Sequence, residues 1–181
     1  VDFVGHPLID AIHNREKTDE TQFRKENNLD EKPIIALLPG SRKQEISKML
    51  SVMLSIVNDF TDYQFVIAAA PTFNAAYYEQ FMEGRNIPLV FNETYQLLHH
   101  AHAAIVASGT ATLETALFKV PQVVVYKGGT ISIAIARMLV KIRFISLVNL
   151  IVDRKVVTEL IQEDCNTKLL SAELNSVVKG D

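Results

Sequence analysis

Ile34-Ile35-Ala36-Leu37-Leu38-Pro39-Gly40-Ser41-Arg42 is the stretch on which the reading of this chain turns. Five consecutive apolar residues predict a strand buried on both faces, because a half-solvated strand would alternate. The run breaks at Pro39-Gly40 and leads into residues 45–60, where Ile46, Met49, Leu50, Met53, Val57 and Phe60 share one helical face. Ser47, Lys48, Ser51, Ser55 and Asn58 take the other face, so a helix packed on a sheet is expected. A strand that empties through a glycine turn into a helix N-terminus presents free amides and the positive end of the dipole to an anion. Arg42 adds a permanently charged, forked donor.

The same alternation continues outward. Residues 64–70, Leu89–Phe91, residues 103–107 and Gln122–Tyr126 read as further short apolar strands. Helices are expected over residues 15–28, which carry Phe23 inward, and over 74–83, 95–101, 111–118 and 131–141. A last strand is expected at 144–147, followed by helices near 154–162 and 168–178. Continuous apolar strands separated by helices predict a parallel sheet covered on both faces: a doubly wound, Rossmann-like α/β domain. Fixed-period repeats and low-complexity tracts are absent.

Composition narrows the class. The chain has 181 residues, 48% of them hydrophobic, which excludes a disordered polymer and suits one domain with a real core. A single cysteine, Cys165, excludes an intrachain disulfide framework. Its neighbours Glu163 and Asp164 disfavour a thiolate, so a reactive cysteine is not expected. The longest apolar stretch, residues 131–152, is interrupted by Arg137, Lys141 and Arg143 and does not read as a membrane span. Net charge is −3, but residues 115–152 hold five basic side chains (Lys119, Lys127, Arg137, Lys141, Arg143) and no acidic one. An anionic partner at that block is expected, and general nucleic-acid binding is not.

Ligands in such a sheet sit at the carboxyl ends of the strands. A second anion-holding turn is expected there: Ala107-Ser108-Gly109-Thr110 supplies two hydroxyls, a glycine and a helix start. Glu114 follows one turn later. A capping acid after Thr110 would fall at position 113, which is Leu113, so Glu114 is left either to accept the hydroxyls of a ribose or to favour the helix dipole from the surface. Together these turns predict a site for the diphosphate of a nucleotide-sugar. No general base stands out. His6 reads as a hinge residue beside Pro7, and His99, His100 and His102 fall at a helix end and the next strand.

Five ordered motifs carry a family resemblance: Phe3-Val4-Gly5-His6-Pro7-Leu8; Leu37-Leu38-Pro39-Gly40-Ser41-Arg42 with Glu45; Ala107-Ser108-Gly109-Thr110-Ala111-Thr112-Leu113-Glu114; Ser146-Leu147-Val148-Asn149-Leu150; and Glu159-Leu160-Ile161-Gln162-Glu163. The set resembles the C-terminal half of the lipid-A-disaccharide synthase family. That resemblance implies a GT-B glycosyltransferase, in which two Rossmann-like domains face a cleft and the C-terminal one holds the donor. The reaction implied joins UDP-2,3-diacylglucosamine to 2,3-diacylglucosamine 1-phosphate with inversion, releasing UDP, with no metal and no cofactor. By position, Gly40, Ser41 and Arg42 would hold the diphosphate, Ser108, Gly109 and Thr110 would add donors, Glu114 would take the ribose, and Asn149 would lie near the donor. Arg42 and Asn149 would support departure of the leaving group. Val148 stands where the family usually shows proline.

The resemblance also sets the expected organisation. Residues 1–14 would be an interdomain hinge, 15–152 the nucleotide-sugar-binding domain and 153–181 C-terminal helices. The acceptor domain that carries the general base would lie outside this chain. Arg137, Lys141 and Arg143 beside the apolar spacing of Ile131, Ile135, Met138 and Ile142 fit an interfacial helix on anionic lipid, or equally a core helix with solvated charges. The expected location is cytoplasmic, on the inner face of a Gram-negative inner membrane. The C-terminal helix could pack on its own domain or exchange in a homodimer. Other UDP-sugar GT-B enzymes, a UDP-N-acetylglucosamine 2-epimerase and a non-catalytic nucleotide-binding module remain alternatives.

Overall fold

The computed structural model describes residues 18–128 and 143–180. The order is α1 (Glu20–Glu26), β1 (Ile34–Leu38), α2 (Lys43–Leu54), β2 (Gln64–Ala69), α3 (Ala75–Met82), β3 (Leu89–Phe91), α4 (Thr94–His100), β4 (Ala101–Ala107), α5 (Thr110–Leu117), β5 (Gln122–Tyr126), α6 (Leu147–Val152), β6 (Thr158–Ile161) and α7 (Thr167–Lys179). The strands form one parallel sheet in the order β3-β2-β1-β4-β5-β6. This is the Rossmann-like arrangement expected, with the order reversing between β1 and β4.

All five residues of β1 are buried, which is why that stretch reads as an unbroken apolar run. Its side chains alternate between two cores. Ile35 and Leu37 join Ile46, Met49, Leu50 and Met53 of α2 and Leu170 and Leu174 of α7. Ile34, Ala36 and Leu38 join Phe23 of α1, Leu97 and Leu98 of α4 and Val120. The C-terminal helix therefore packs on its own domain, against β4, β5 and α2. Cys165 is fully buried, and burial pushes its thiol up despite nearby Lys127.

Three expected elements differ. The helix over 45–60 stops at Leu54, and Phe60 reaches the core through a short 3-10 turn at Val57–Asp59 instead. The strand at 144–147 does not form. The Ile145 and Ser146 amides donate to the Glu159 carboxylate at 2.9 and 3.0 Å, and Ser146 caps α6 by accepting from the Asn149 amide. The helix at 154–162 is instead strand β6, which pairs with β5 from Val123↔Thr158 to Tyr126↔Ile161. Val156, Val157, Thr158 and Ile161 are β-branched and favour extended backbone. Residues 1–14, the 131–141 helix and the side chains of Arg137 and Lys141 lie outside the described residues.

One buried polar contact sets the end of β2. The Tyr78 hydroxyl, on α3, accepts from the Ala70 amide at 2.7 Å with the ring fully buried. Tyr78→Phe removes that acceptor and strands a buried N–H, which should lower stability by roughly 1–3 kcal/mol. Urea unfolding measures this, and an unchanged midpoint would show that the amide finds another partner.

Candidate functional site

The β1 and β4 carboxyl ends lie side by side, with Leu38 paired to Val106. The connections that leave these two neighbouring strands run to opposite sides, so no crossover covers the space between them. A cleft of about 510 Å³ opens at this point, lined by Gly40, Ser41, Arg42 and Glu45 from the first turn and Ser108, Gly109, Thr110 and Glu114 from the second. Ala68, Ala69, Ala70 and Pro71 at the end of β2, with Asn92 and Thr94 after β3, close the far wall. Seven of the residues singled out in the sequence thus come together: Gly40, Ser41, Arg42, Ser108, Gly109, Thr110 and Glu114.

Gly40 has φ +99°, a backbone state that disfavours any side chain. A Cβ there would also come within 2.7 Å of Glu45 Oε2. Glu45 folds back over the turn. Its Oε2 accepts from the Ser41 and Arg42 amides, each at 3.3 Å, and its Oε1 is 2.9 Å from Arg42 Nη1. Three residues after the N-cap Arg42, it forms the acidic half of a capping box. That spacing was present in the sequence, yet Glu45 read only as part of a motif because α2 was expected to start at Glu45 rather than at Lys43.

The second turn is tied down from behind. Ser108 Oγ donates to the Ile145 carbonyl at 3.2 Å, and Gly109 caps α5, whose Thr112 hydroxyl returns a bond to the Gly109 carbonyl at 2.8 Å. Glu114 faces the cleft and accepts from the Tyr95 hydroxyl at 3.1 Å. Tyr95 was not singled out in the sequence, and only the tertiary placement of α4 beside α5 reveals it.

Asn149 does not line the cleft. It is fully buried, and Nδ2 donates to the Val157 carbonyl at 2.9 Å and to Glu159 Oε1 at 2.8 Å. Its Oδ1 accepts from the Val156 and Val157 amides at 2.7 and 3.0 Å. Both donors and both lone pairs of the amide are in use, so the side chain has nothing left to offer a ligand in this arrangement. Its effect on the cleft runs through structure: Glu159 joins Asn149 to Ser146 and Ile145, and the Ile145 carbonyl holds Ser108. Val148 sits in the first turn of α6, where a backbone N–H has no intrahelical partner, so the departure from proline costs little.

The three described members of the basic block do not line this cleft. Lys119, Lys127 and Arg143 are exposed and absent from the cleft lining, and the Arg143 guanidinium lies 5.4 Å over the Phe144 ring. Among the described residues no group of three His, Cys, Asp or Glu side chains could hold a metal ion. No helix among them is long and apolar enough to cross a membrane.

A parallel sheet of this order, with two helix-starting turns around a crevice at its reversal, defines a Rossmann-like α/β domain. Solved structures share the fold. Escherichia coli ADP-heptose LPS heptosyltransferase II matches with a TM-score of 0.61 at 11% identity, over 92% of this chain and 54% of that one. UDP-GlcNAc 2-epimerase from Neisseria meningitidis, bound to UDP-GlcNAc, matches with a TM-score of 0.57 at 13% identity, over 95% and 43%. Residues 1–181 match the family described as lipid-A-disaccharide synthetase, and the chain belongs to it. Lipid-A-disaccharide synthase of Syntrophus aciditrophicus is 37% identical over 98% of this chain and 48% of its own length. Its counterpart in Pseudomonas putida strain F1 is 36% identical over 99% and 49%. The chain therefore spans about half the length of these relatives.

Asn149→Ala would leave the Val156 and Val157 amides and the Glu159 carboxylate short of partners, at a cost of roughly 1–3 kcal/mol. Denaturant unfolding tests this, and wild-type stability in the variant would show that Asn149 does not hold this corner.

Proposed function

We propose that this chain is the donor-binding half of an inverting glycosyltransferase that joins UDP-2,3-diacylglucosamine to 2,3-diacylglucosamine 1-phosphate, giving the lipid A disaccharide 1-phosphate and UDP. The observation that carries the reading is the convergence of the Gly40-Ser41-Arg42 and Ser108-Gly109-Thr110 turns on one cleft at the strand-order reversal, in a chain of this family. The diphosphate lies between the two helix starts. The ribose hydroxyls meet the Glu114 carboxylate, oriented by Tyr95.

The chemistry asked of these residues is leaving-group stabilisation. As the anomeric carbon–oxygen bond breaks, negative charge grows on the β-phosphate. The Arg42 guanidinium and the amides at the starts of α2 and α5 meet it without a metal or cofactor. Asn149 contributes by fixing the loop that positions Ser108. Removing the proton from the acceptor hydroxyl falls to a base in the N-terminal acceptor domain, which residues 1–14 would join to this domain at residues 15–152, followed by the C-terminal segment 153–181.

The acylated substrates reside in a bilayer, and the proposal places the enzyme peripherally on the cytoplasmic face of the inner membrane. Arg137, Lys141 and Arg143 would face anionic lipid. A patch of exposed Leu150, Ile151, Val152 and Val156 next to exposed Arg154 and Lys155 supports the same orientation. A homodimer formed by exchange of the C-terminal helix needs α7 to leave the sheet on which it now buries Leu170 and Leu174.

Calorimetry with UDP tests the donor site. Arg42→Ala should weaken binding at least about tenfold, as loss of a charged hydrogen bond implies. A folded wild-type chain with no affinity for UDP would overturn the reading, and disaccharide formation by the 181-residue chain alone would overturn the placement of the base elsewhere. Flotation with vesicles containing anionic lipid tests the membrane assignment. Arg137→Glu/Lys141→Glu should float less than wild type, and equal flotation would end the assignment.

A further inference from the structure

The diphosphate cradle is not empty of charge, because Glu45 sits in it. Its Oε2 lies within 3.3 Å of both the Ser41 and Arg42 amides, the donors that a phosphate oxygen would use, and its Oε1 neutralises Arg42 at 2.9 Å. Gly40 leaves room for this, since Oε2 lies only 2.7 Å from where a Cβ would stand. We infer that Glu45 is the resident anion of the cradle and sets its affinity, so that an incoming diphosphate binds by taking the place of the Glu45 carboxylate. The inference rests on the reading of the cleft as a nucleotide-sugar site and adds a residue that sets how tightly a charged ligand is held.

The geometry makes the exchange local. Glu45 belongs to the first turn of α2, whose backbone is anchored by buried Ile46 one residue later, so only the side chain has to swing. Its carboxylate is held at the surface, with the Glu45 side chain 38% exposed and Arg42 83% exposed. An ion pair so exposed is weak and readily exchanged. One swing releases two amides and a guanidinium together, all pointed at the same cleft. A ligand must bring charge to win this exchange. A diphosphate, with several anionic oxygens, displaces a single carboxylate, whereas an uncharged nucleoside has nothing to put in its place. Displacing Glu45 therefore lowers the net affinity of the diphosphate and leaves that of an uncharged nucleoside unchanged, while the donors of the cradle stay satisfied when no ligand is bound.

Titration of UDP and uridine into the wild-type chain, Glu45→Gln, Glu45→Ala and Arg42→Ala separates the possibilities. Gln keeps an oxygen to accept from the Ser41 and Arg42 amides, so the helix start is preserved while the charge is removed. Ala tests the same loss of charge without the capping oxygen. Both Glu45 variants should bind UDP about tenfold tighter than wild type and bind uridine with unchanged affinity. If Glu45 only caps the helix, UDP affinity in Glu45→Gln stays at the wild-type value. If Glu45 contacts the donor directly, affinity falls. Either result overturns the inference while leaving the nucleotide reading intact, provided wild type binds and Arg42→Ala is weaker. Absence of UDP binding in all four folded proteins removes both.

Discussion

Pairing of β1 with β4 is the constraint from which the rest follows. It joins two strands whose connections depart to opposite sides, because β1 leads to β2 on one flank and β4 to β5 on the other. The Leu38↔Val106 register brings the two strand ends level, so α2 and α5 begin at the same height beside each other. Neither helix start is by itself more than a common structural feature. Side by side at an uncovered crevice, they turn two helix starts toward one volume. The burial of β1 on both faces locks this arrangement, since a shift of one residue would exchange its contacts with the two cores.

Around this crevice the chain uses one device twice, to different ends. Glu159 collects the Ile145 and Ser146 amides, the Ser146 hydroxyl and the Asn149 amide group, and so fastens an irregular segment beneath Ser108. Glu45 collects the Ser41 and Arg42 amides at the mouth of the cleft. In each case a carboxylate satisfies backbone donors that no strand or helix partner reaches. The difference is setting. Glu159 lies inside a network with the fully buried Asn149, whereas Glu45 is paired with an arginine in solvent and is free to yield to another anion.

Most of the sheet was legible because its strands are short continuous apolar runs, a signal that needs no knowledge of partners. The same holds for α2, whose buried Ile46, Met49, Leu50 and Met53 recur at helical spacing. What escaped was decided by distant groups. β6 carries Thr158 and Glu159 and is only four residues long, so its apolar content is slight, and it exists because β5 leaves an edge for it. The segment at 144–147 has strand-like residues but loses its amides to Glu159. In the site, the glycine turns were readable from local residue type. The Tyr95–Glu114 contact and the enclosed role of Asn149 were not, because both depend on which elements end up adjacent.

By itself the sequence determined the kind of domain, the position of the two glycine turns at helix starts and, through five ordered motifs, its family. These follow from local properties: apolar periodicity, glycine at a turn with positive φ, hydroxyls and an arginine at helix starts. Only the tertiary structure decided that the two turns share a cleft, that Asn149 has no polar atom free for a ligand and that Glu45 occupies the cradle. Each of these depends on the satisfaction of polar groups across the fold. That is settled when distant segments pack and their donors and acceptors find one another.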